Sequence, residues 1–327
     1  MTDSANNSLP LLPVSGGPDP AASAGQPDIG VVLATHNRPV LMRRALESIL
    51  AQDYSGRIHV MVVHDKCDLD ETLASDFPQR VVSVMPNERT SGLAGARNTG
   101  VMELATPLIA FCDDDDTWYP EKLSRQVAAL LAVPGAEFSS TAMLVDYDGR
   151  QAVRLAGTES VSHEDLLRSR MSMVHSSSFL INRRALIDGI GLVDETIPNS
   201  MCEDWDLLLR ASTRQPIVNV DEPLIKVQWG ASSFFYQQWG VKNSAHVWML
   251  ERHPDILSNA VGKGRIYGQL AFGYAALGQS KAALGWATRS LRANVREPRA
   301  LLAMMVAARL VSAETVVDRL QRRGHGI

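Results

Sequence analysis

The amino-acid sequence predicts an α/β protein with a mainly parallel central sheet, helices on both faces of that sheet, and a small α-helical extension. The first observation is that continuous apolar runs such as Ile29–Thr35 alternate with amphipathic segments, as in β-α-β units. The second is that 327 residues, 45% of them hydrophobic, suffice for a full core. The third is that the segment from Val261 onward is rich in Ala and Leu. We therefore expect an α/β domain over residues 28–255 and a helical extension over residues 256–327.

The elements of the first half can be assigned in chain order. Pro39 begins a helix within its first turn, where the missing N–H costs nothing, and Leu46 and Ile49 lie on its apolar face. Strands are expected at residues 29–35, 58–63, 80–85 and 107–111, a weak helix at 70–77, and a loop followed by a helix at 92–104. Ligands of such sheets bind beyond the carboxyl ends of the strands. The polar segments 35–37, 64–65 and 113–116 fall at those ends, so we expect them to converge on one crevice.

The second half is predicted from the same kinds of pattern. Helices are expected at residues 121–131, 203–211 and 234–252, strands at about 137–145, 179–181, 217–220 and 224–227, a polar stretch up to about 170, and three or so helices after 261. Residues 1–27 are rich in Pro, Gly, Ser and Ala, which predicts a disordered leader.

Composition and charge exclude several classes of function. The formal charge of -4 gives no reason to expect a nucleic-acid partner, and no uncharged apolar run approaches the ~18 residues of a membrane span. The leader lacks a basic region followed by an apolar one, so we expect no secretory signal. Cys67, Cys112 and Cys202 are scattered, as is typical of reduced thiols in a cytosol. A cytoplasmic location is expected.

The most informative motif is the run Asp113, Asp114, Asp115 and Asp116, which follows the apolar residues 108–111. Four adjacent carboxylates repel one another unless a cation neutralises them, and hard divalent ions take oxygen ligands of this kind. An acidic run by itself is most often a solvated loop. The strand in front, which is expected to be buried, favours a site for Mg²⁺ or Mn²⁺ instead.

Five ordered segments carry a family resemblance. They are Val-Val-Leu-Ala-Thr-His-Asn-Arg-Pro at 31–39, Val-Val-His-Asp at 62–65, Gly-Leu-Ala-Gly-Ala-Arg-Asn-Thr-Gly at 92–100, Asp-Asp-Asp-Asp-Thr-Trp-Tyr-Pro-Glu-Lys-Leu at 113–123, and Cys-Glu-Asp-Trp-Asp-Leu-Leu-Leu-Arg at 202–210. Together they resemble the motifs of family 2 glycosyltransferases of the GT-A fold, over about residues 28–253. Each motif alone is weak, but their order makes the match specific.

The resemblance implies an inverting, metal-dependent transfer of a sugar from a nucleotide sugar, most commonly a UDP-sugar, to a hydroxyl of a glycan, lipid-linked or small-molecule acceptor. Asp113 and Asp115 would hold Mn²⁺ or Mg²⁺ on the donor diphosphate, with Asp116 as a third carboxylate. The donor itself would contact Ala34, Thr35, His36, Arg38, Asp65, Arg97, Asp113 and Asp114. Asp65 corresponds to the carboxylate that accepts the uracil N3–H, and Arg97 is suited to the pyrophosphate. A helix cap for Asp65 and a surface salt bridge for Arg97 are the alternatives.

The resemblance also assigns the catalytic pair Glu203 and Asp204. Displacement with inversion needs one carboxylate to take the proton of the acceptor hydroxyl, and Asp204 is the expected base. Its neighbours Glu203 and Trp205 are expected to raise the pKa of Asp204. The alternative is a pair of acids favoured by the helix dipole.

The sequence departs from the family pattern at three places. His64 replaces the first Asp of the usual pair, and Ala34 stands where Thr is frequent, which makes uracil specificity less certain than nucleotide binding. Residues 226–233 contain no His, where relatives often have one that faces the metal or phosphate. Gln228 is a candidate substitute, or metal retention is weaker. His175 falls where relatives line the acceptor side, as a substrate contact or a loop histidine.

The helical extension has its own pattern. Small and large residues between 270 and 291 follow the spacing of a tetratricopeptide-type helix pair, which cannot bury a face alone and is expected to pack on the catalytic domain or on a partner. Residues 261–327 contain 11 Lys and Arg against 3 Asp and Glu. This basic charge is compatible with a peripheral contact with the inner face of an anionic membrane. The C-terminal helices are compatible with a homo-oligomer.

Two rival functions remain at this stage. A sugar-phosphate nucleotidyltransferase also uses an α/β nucleotide site and Mg²⁺, but it needs a glycine-rich first loop, which residues 34–38 do not supply. A catalytically silent nucleotide-sugar binder that acts through its C-terminal helices would not need Asp204.

Overall fold

The computed structural model describes residues 25–147, 149–229 and 238–322. The leader predicted at 1–27 lies outside the described residues except for its last three. The first part of the helix predicted at 234–252 also lies outside them.

The strands and helices follow the predicted alternation. The strands are β1 (Ile29–Thr35), β2 (Ile58–His64), β3 (Ser75–Phe77), β4 (Arg80–Pro86), β5 (Leu108–Asp113), β6 (Thr117–Trp118), β7 (Phe138–Tyr147), β8 (Arg150–Arg154), β9 (Ser160–Val161), β10 (Leu180–Asn182) and β11 (Ile217–Trp229). The α-helices are α1 (Pro39–Leu50), α2 (Leu93–Glu103), α3 (Lys122–Ala132), α4 (His163–Arg168), α5 (Arg183–Ala185), α6 (Glu203–Ser212), α7 (Trp239–Arg252), α8 (Ala260–Ala276), α9 (Ser280–Ala293), α10 (Pro298–Ala307) and α11 (Ala313–Gln321).

One sheet organises the α/β part. Its strands lie in the order β3-β4-β2-β1-β5-β10-β7-β11-β6, with β8 beside β7 and β9 beside β11. β1, β2, β4 and β5 are parallel, and β7 is parallel to β11. β10 joins the two groups because it is antiparallel to both β5 and β7. The carboxyl ends of β1, β2 and β5 therefore share one edge.

Both faces of the sheet are covered. Val31 and Leu33 of β1 pack into the core under α1 and α3, whereas Val32 and Ala34 pack into a second core with α2 and α6. This burial on both faces explains why β1 is apolar throughout rather than alternating. A third core lies among α8, α9, α10 and α11, where small residues such as Ala283 and Ala303 allow close packing.

The C-terminal helices pack against the α/β part. A Cβ on Gly262 of α8 would lie 1.9 Å from the carbonyl oxygen of Leu167. The ring of Phe272 packs edge-on against Trp239 at 5.3 Å between centroids. Among the described residues, no helix is both long and apolar enough to cross a bilayer.

Two predicted elements were wrong. Residues 70–77 do not form a helix, because the Asp70 side chain accepts from the Thr72 N–H and limits the segment to a 3-10 turn, Glu71–Leu73, before β3. The two strands predicted at 217–227 are one strand, β11, with register irregularities around Pro223, which has no N–H to donate. After residue 261 there are four helices rather than three or so.

Candidate active site

Side chains from three strand ends meet as predicted at the edge of the sheet. Thr35 ends β1, and its hydroxyl donates to Oδ2 of Asp114, which follows β5, at 2.9 Å. The N–H of Asp65, just past β2, donates to the carbonyl of Thr35 at 2.9 Å. The predicted crevice is therefore present, with the acidic run on one side of it.

The middle two carboxylates of the run face Arg38. Its Nη1 lies 2.8 Å from Oδ2 of Asp115 and 3.3 Å from Oδ1 of Asp114. Burial raises the pKa of Asp114, and burial together with the charges of Asp113 and Asp114 raises that of Asp115. Arg38 thus contacts two carboxylates of the run, and its predicted contact with the donor stays a prediction.

The outer two carboxylates, Asp113 and Asp116, face the segment around His175. Ser176 donates to Asp113 at 3.2 Å, and Ser177 donates to Asp116 at 2.5 Å. Nδ1 of His175 lies 3.5 Å from Oδ2 of Asp116. Ligand atoms of Asp113, Asp116 and His175 all lie within 4.8 Å of one another.

This trio suits a divalent cation. Two carboxylates and an imidazole form a donor set that Mn²⁺ accepts well. Burial, with the charges of Asp115 and Asp113, raises the pKa of Asp116 well above its usual value. A carboxylate that is so costly to ionise becomes favourable when a cation lies beside it. The residues present therefore fit a metal: Asp113 and Asp116 were both predicted as ligands, His175 joins them, and the predicted role of Asp115 stays a prediction.

Arg97 joins this cluster to the predicted catalytic pair, Glu203 and Asp204. Its guanidinium, 2% exposed, contacts Asp113 through Nη2 and lies 2.6 Å from Oε1 of Glu203 through Nη1. α2 places it there because a glycine at position 95 lets the helix approach the preceding loop, where a Cβ would lie 1.7 Å from the Thr90 carbonyl oxygen. The contact is a buried bridge between two carboxylates, not a surface salt bridge. A role of Arg97 on the pyrophosphate stays a prediction.

Asp204 and Glu203 differ sharply in their ionisation. Nη2 of Arg170 lies 2.8 and 2.9 Å from the two oxygens of Asp204. Burial would raise the pKa of Asp204, but this pairing outweighs it and leaves the pKa below its usual value. Burial raises the pKa of Glu203 to about 7 despite the nearby Arg97. The expectation that Glu203 and Trp205 raise the pKa of Asp204 was wrong, because Arg170 was not foreseen.

The residues predicted to contact the base are hydrogen-bonded to other parts of the protein. The carboxylate of Asp65 accepts from the Asn87 side chain at 2.8 Å and from the Gly92 N–H at 3.0 Å. Nδ1 of His36 lies 2.6 Å from the carbonyl of Asp65. Ala34 is 7% exposed and packs in the core, so its side chain does not line the crevice. Asp65 and His36 lie together at the edge, and their contacts with a base stay predictions.

Sequence reasoning missed two residues of this site. Arg170 lies in a polar stretch without periodicity, and nothing in the sequence pairs it with Asp204. His175 was left open as a loop histidine, although the run of serines at 176–178 after it was a usable signal. Ser177 donates to Asp116 and Ser176 donates to Asp113, so the turn that carries these serines packs against the acidic run.

Comparisons with known proteins identify the family of the α/β part. A family model described as Glycosyl transferase family 2 matches residues 30–188, a range that contains the acidic run and His175. Over these residues the chain belongs to glycosyl transferase family 2. The "Succinoglycan biosynthesis protein ExoO" of Rhizobium meliloti is 35% identical over 40% of this chain and 38% of its own length. The "Uncharacterized glycosyltransferase YwdF" of Bacillus subtilis is 29% identical over 56% of this chain and 68% of its own length.

A further relative of this family 2 chain is the Escherichia coli "UDP-Glc:alpha-D-GlcNAc-diphosphoundecaprenol beta-1,3-glucosyltransferase WfgD", 27% identical over 32% of this chain. The match spans 41% of that protein, so this chain corresponds to less than half of two of these three relatives. Residues 1–349 of Staphylococcus aureus TarS in complex with UDP-GlcNAc superpose with a TM-score of 0.55 at 17% identity, over 91% of this chain and 92% of that TarS fragment. A Pyrobaculum calidifontis mannosyltransferase in complex with GDP-Man and Mn²⁺ gives 0.51 at 18% identity, over 93% of this chain and 86% of its own length. At these identities the likeness establishes the GT-A fold.

Proposed function

We propose that this glycosyltransferase is inverting and metal-dependent, and that it moves a sugar from a UDP-sugar to a hydroxyl of a glycan, lipid-linked or small-molecule acceptor. The observation that carries the proposal is the bridge through Arg97. It holds a cluster suited to a metal, Asp113 with Asp116 and His175, beside the pair Glu203 and Asp204. Donor activation and acceptor deprotonation thus have adjacent groups.

The donor side uses the outer carboxylates. Asp113, Asp116 and His175 would hold Mn²⁺ or Mg²⁺, and the cation supplies charge neutralisation of the departing diphosphate. His175 would provide the imidazole that residues 226–233 lack. The backbone of Gln228 hydrogen-bonds to Asp116, so Gln228 supports the cluster without lending its side chain to it. Asp115 pairs with Arg38 and would keep the Arg38 guanidinium at this edge of the sheet.

The acceptor side uses Asp204. Its lowered pKa keeps it ionised at neutral pH, so it can accept a proton from an acceptor hydroxyl that displaces the nucleotide from the opposite face of the sugar. Arg170 fixes its orientation through two hydrogen bonds. A single carboxylate in this role is what a direct displacement with inversion requires.

The names of relatives support a glycan or lipid-linked acceptor. One relative is named for succinoglycan biosynthesis, and another for transfer to a diphosphoundecaprenol-linked sugar. We place this protein in the cytoplasm, with the basic residues of 261–327 able to contact an anionic inner leaflet. Each such charge is worth roughly 1 kcal/mol near the surface. Co-sedimentation with phosphatidylglycerol vesicles should fall steeply with salt and should fail with neutral vesicles. Binding that does not depend on salt would leave the tail as a packing or oligomer element.

The donor is best tested by thermal unfolding with a panel of nucleotide sugars, with Mn²⁺ or with EDTA. A ligand that binds only the folded state raises the melting temperature, so one UDP-sugar should stabilise the protein in Mn²⁺ and not in EDTA. Asp116→Asn should lose this metal-dependent shift, whereas Asp188→Asn, at a largely exposed carboxylate paired with Arg184, should keep it. Equal stabilisation in EDTA would contradict the metal role. Stabilisation without any turnover of the sugar nucleotide would favour the silent binder.

A further inference from the structure

Buried polar atoms without a partner are concentrated in one region of the described residues. Eleven such side-chain atoms occur, and six of them belong to Arg170 or to residues of α7, α8 and the start of α10. They are Nε of Arg170, Arg265 and Arg299, Nδ1 of His246, and both amide atoms of Asn243. Buried polar groups in native proteins are nearly always satisfied by protein, water or a ligand. A cluster of this size therefore calls for an explanation.

The region also carries more positive than negative charge. Arg170 pairs with Asp204, and Arg299 pairs with Glu297 at 2.7 Å. Within the part of the chain that the structure describes, Lys242 and Arg265 have no carboxylate partner. Lys242 lies over the ring of Trp239 at 4.4 Å, and Arg265 contacts the hydroxyl of Ser169.

The pKa shifts of two residues agree with this excess of positive charge. Burial, with the charge of Arg170, lowers the pKa of Lys242 to about 8. Burial, with the charges of Arg170, Lys242 and Arg299, lowers the pKa of His246 to about 3. His246 is therefore neutral, and it is 8% exposed. Like charges that interact in a buried region cost free energy in the absence of an anion.

We propose that Arg170, Lys242, Arg265 and Arg299, with His246, form an acceptor-side site for a phosphate or diphosphate group. The three unpartnered arginine Nε atoms are N–H donors, and charge-assisted hydrogen bonds to phosphate are among the strongest that side chains make. The side chains of Arg170 and Arg299 are 35% and 20% exposed, so solvent reaches part of the cluster.

The position of the site defines the substrate class. This inference rests on the proposed function, since Arg170 is hydrogen-bonded to Asp204, the proposed base. A phosphate held there would lie next to the acceptor hydroxyl, as in a sugar phosphate or a sugar carried on a diphosphate lipid. Lys242, Arg265 and Arg299 come from α7, α8 and the first turn of α10. The helical extension would thus complete the acceptor site rather than only cover the α/β part.

The test measures anion binding without the donor site. Isothermal titration in EDTA excludes binding through the metal, and the probes are inorganic phosphate, inorganic diphosphate and farnesyl diphosphate. The double variant Lys242→Gln, Arg265→Gln should weaken diphosphate binding by about tenfold or more, since each lost partner is a charged one. Arg292→Gln, an exposed charge in the last turn of α9, is the matched control and should bind as the wild type does. Circular dichroism and thermal unfolding would show that both variants are folded.

The outcomes separate the two levels of the proposal. Farnesyl diphosphate bound more tightly than inorganic diphosphate would identify a lipid headgroup, and equal binding would identify a soluble phosphate. Equal diphosphate affinity in the wild type and the double variant, or no binding by the folded wild type, would overturn the site. Neither result bears on the donor, because UDP-sugar binding in Mn²⁺ is measured separately. Loss of that donor binding in the wild type would overturn the proposed function instead.

Discussion

The protein contains two buried groups of carboxylates that solve the same electrostatic problem differently. The run Asp113–Asp116 has four acids and two guanidinium groups in contact with it, those of Arg38 and Arg97. The pair Glu203 and Asp204 has two acids and also two guanidinium groups, those of Arg97 and Arg170. Because Arg97 is shared, three guanidinium groups face six carboxylates, and the run Asp113–Asp116 has the larger deficit of positive charge.

This difference explains why the two groups suit different chemistry. In the run, the pKa of Asp116 is raised well above its usual value by burial and its neighbours, which a bound cation would reverse. In the pair, the Arg170 contact keeps the pKa of Asp204 low, so that carboxylate needs no metal to be ionised. Arg97 belongs to both groups. A change of charge on one side is therefore felt on the other.

The largest test of this contrast is Asp204→Asn. The substitution keeps the shape and removes the basicity, so kcat should fall by ~10²–10⁴, as for other general bases. Donor affinity should hardly change, because the donor is assigned to the other group. Steady-state kinetics with titration of the donor in Mn²⁺ would separate the two effects.

The matched control is Asp188→Asn, which should leave both parameters unchanged. If donor binding falls as far as turnover in Asp204→Asn, then Asp204 is structural and the division of labour between the two groups is wrong.

Much of the fold was predictable because periodicity reports burial. β1 and α1 were placed correctly from an apolar run and from Pro39 at a helix start. The failures came where a local hydrogen bond or a missing N–H decided the outcome. The side chain of Asp70 limits the predicted helix to one turn. Pro223 causes register irregularities within one long strand, β11, and does not divide it into two.

The site was predictable only where residues adjoin in sequence or end neighbouring strands. The convergence of Thr35, Asp65 and Asp113 followed from a parallel sheet. The pairing of Arg170 with Asp204 and the approach of His175 to Asp116 could not be predicted, because each joins a loop residue to a residue far away in sequence. Those two contacts set the pKa of Asp204 and the membership of the candidate metal cluster, so the details of the site were less predictable than the fold.

The smallest expected effect concerns the dependence of stability on pH. It tests whether Glu203 keeps a proton in the folded protein. Its pKa is raised from 4.5 to about 7, so the folded protein keeps a proton that the unfolded chain has lost between those values. Stability should therefore fall as pH rises through about 4.5 to 7, because the folded state binds more protons there. Asp204 has the opposite sign, since its depressed pKa contributes stability that is lost only as pH falls below its usual range. Glu203→Gln should therefore flatten the dependence of the melting temperature on pH between pH 5 and 7.5. Saturating Mn²⁺ in both proteins suppresses the similar contribution of Asp116. Parallel curves for the two proteins would mean that Glu203 is already ionised in the folded state, and that Arg97 serves the catalytic pair more than it serves the acidic run.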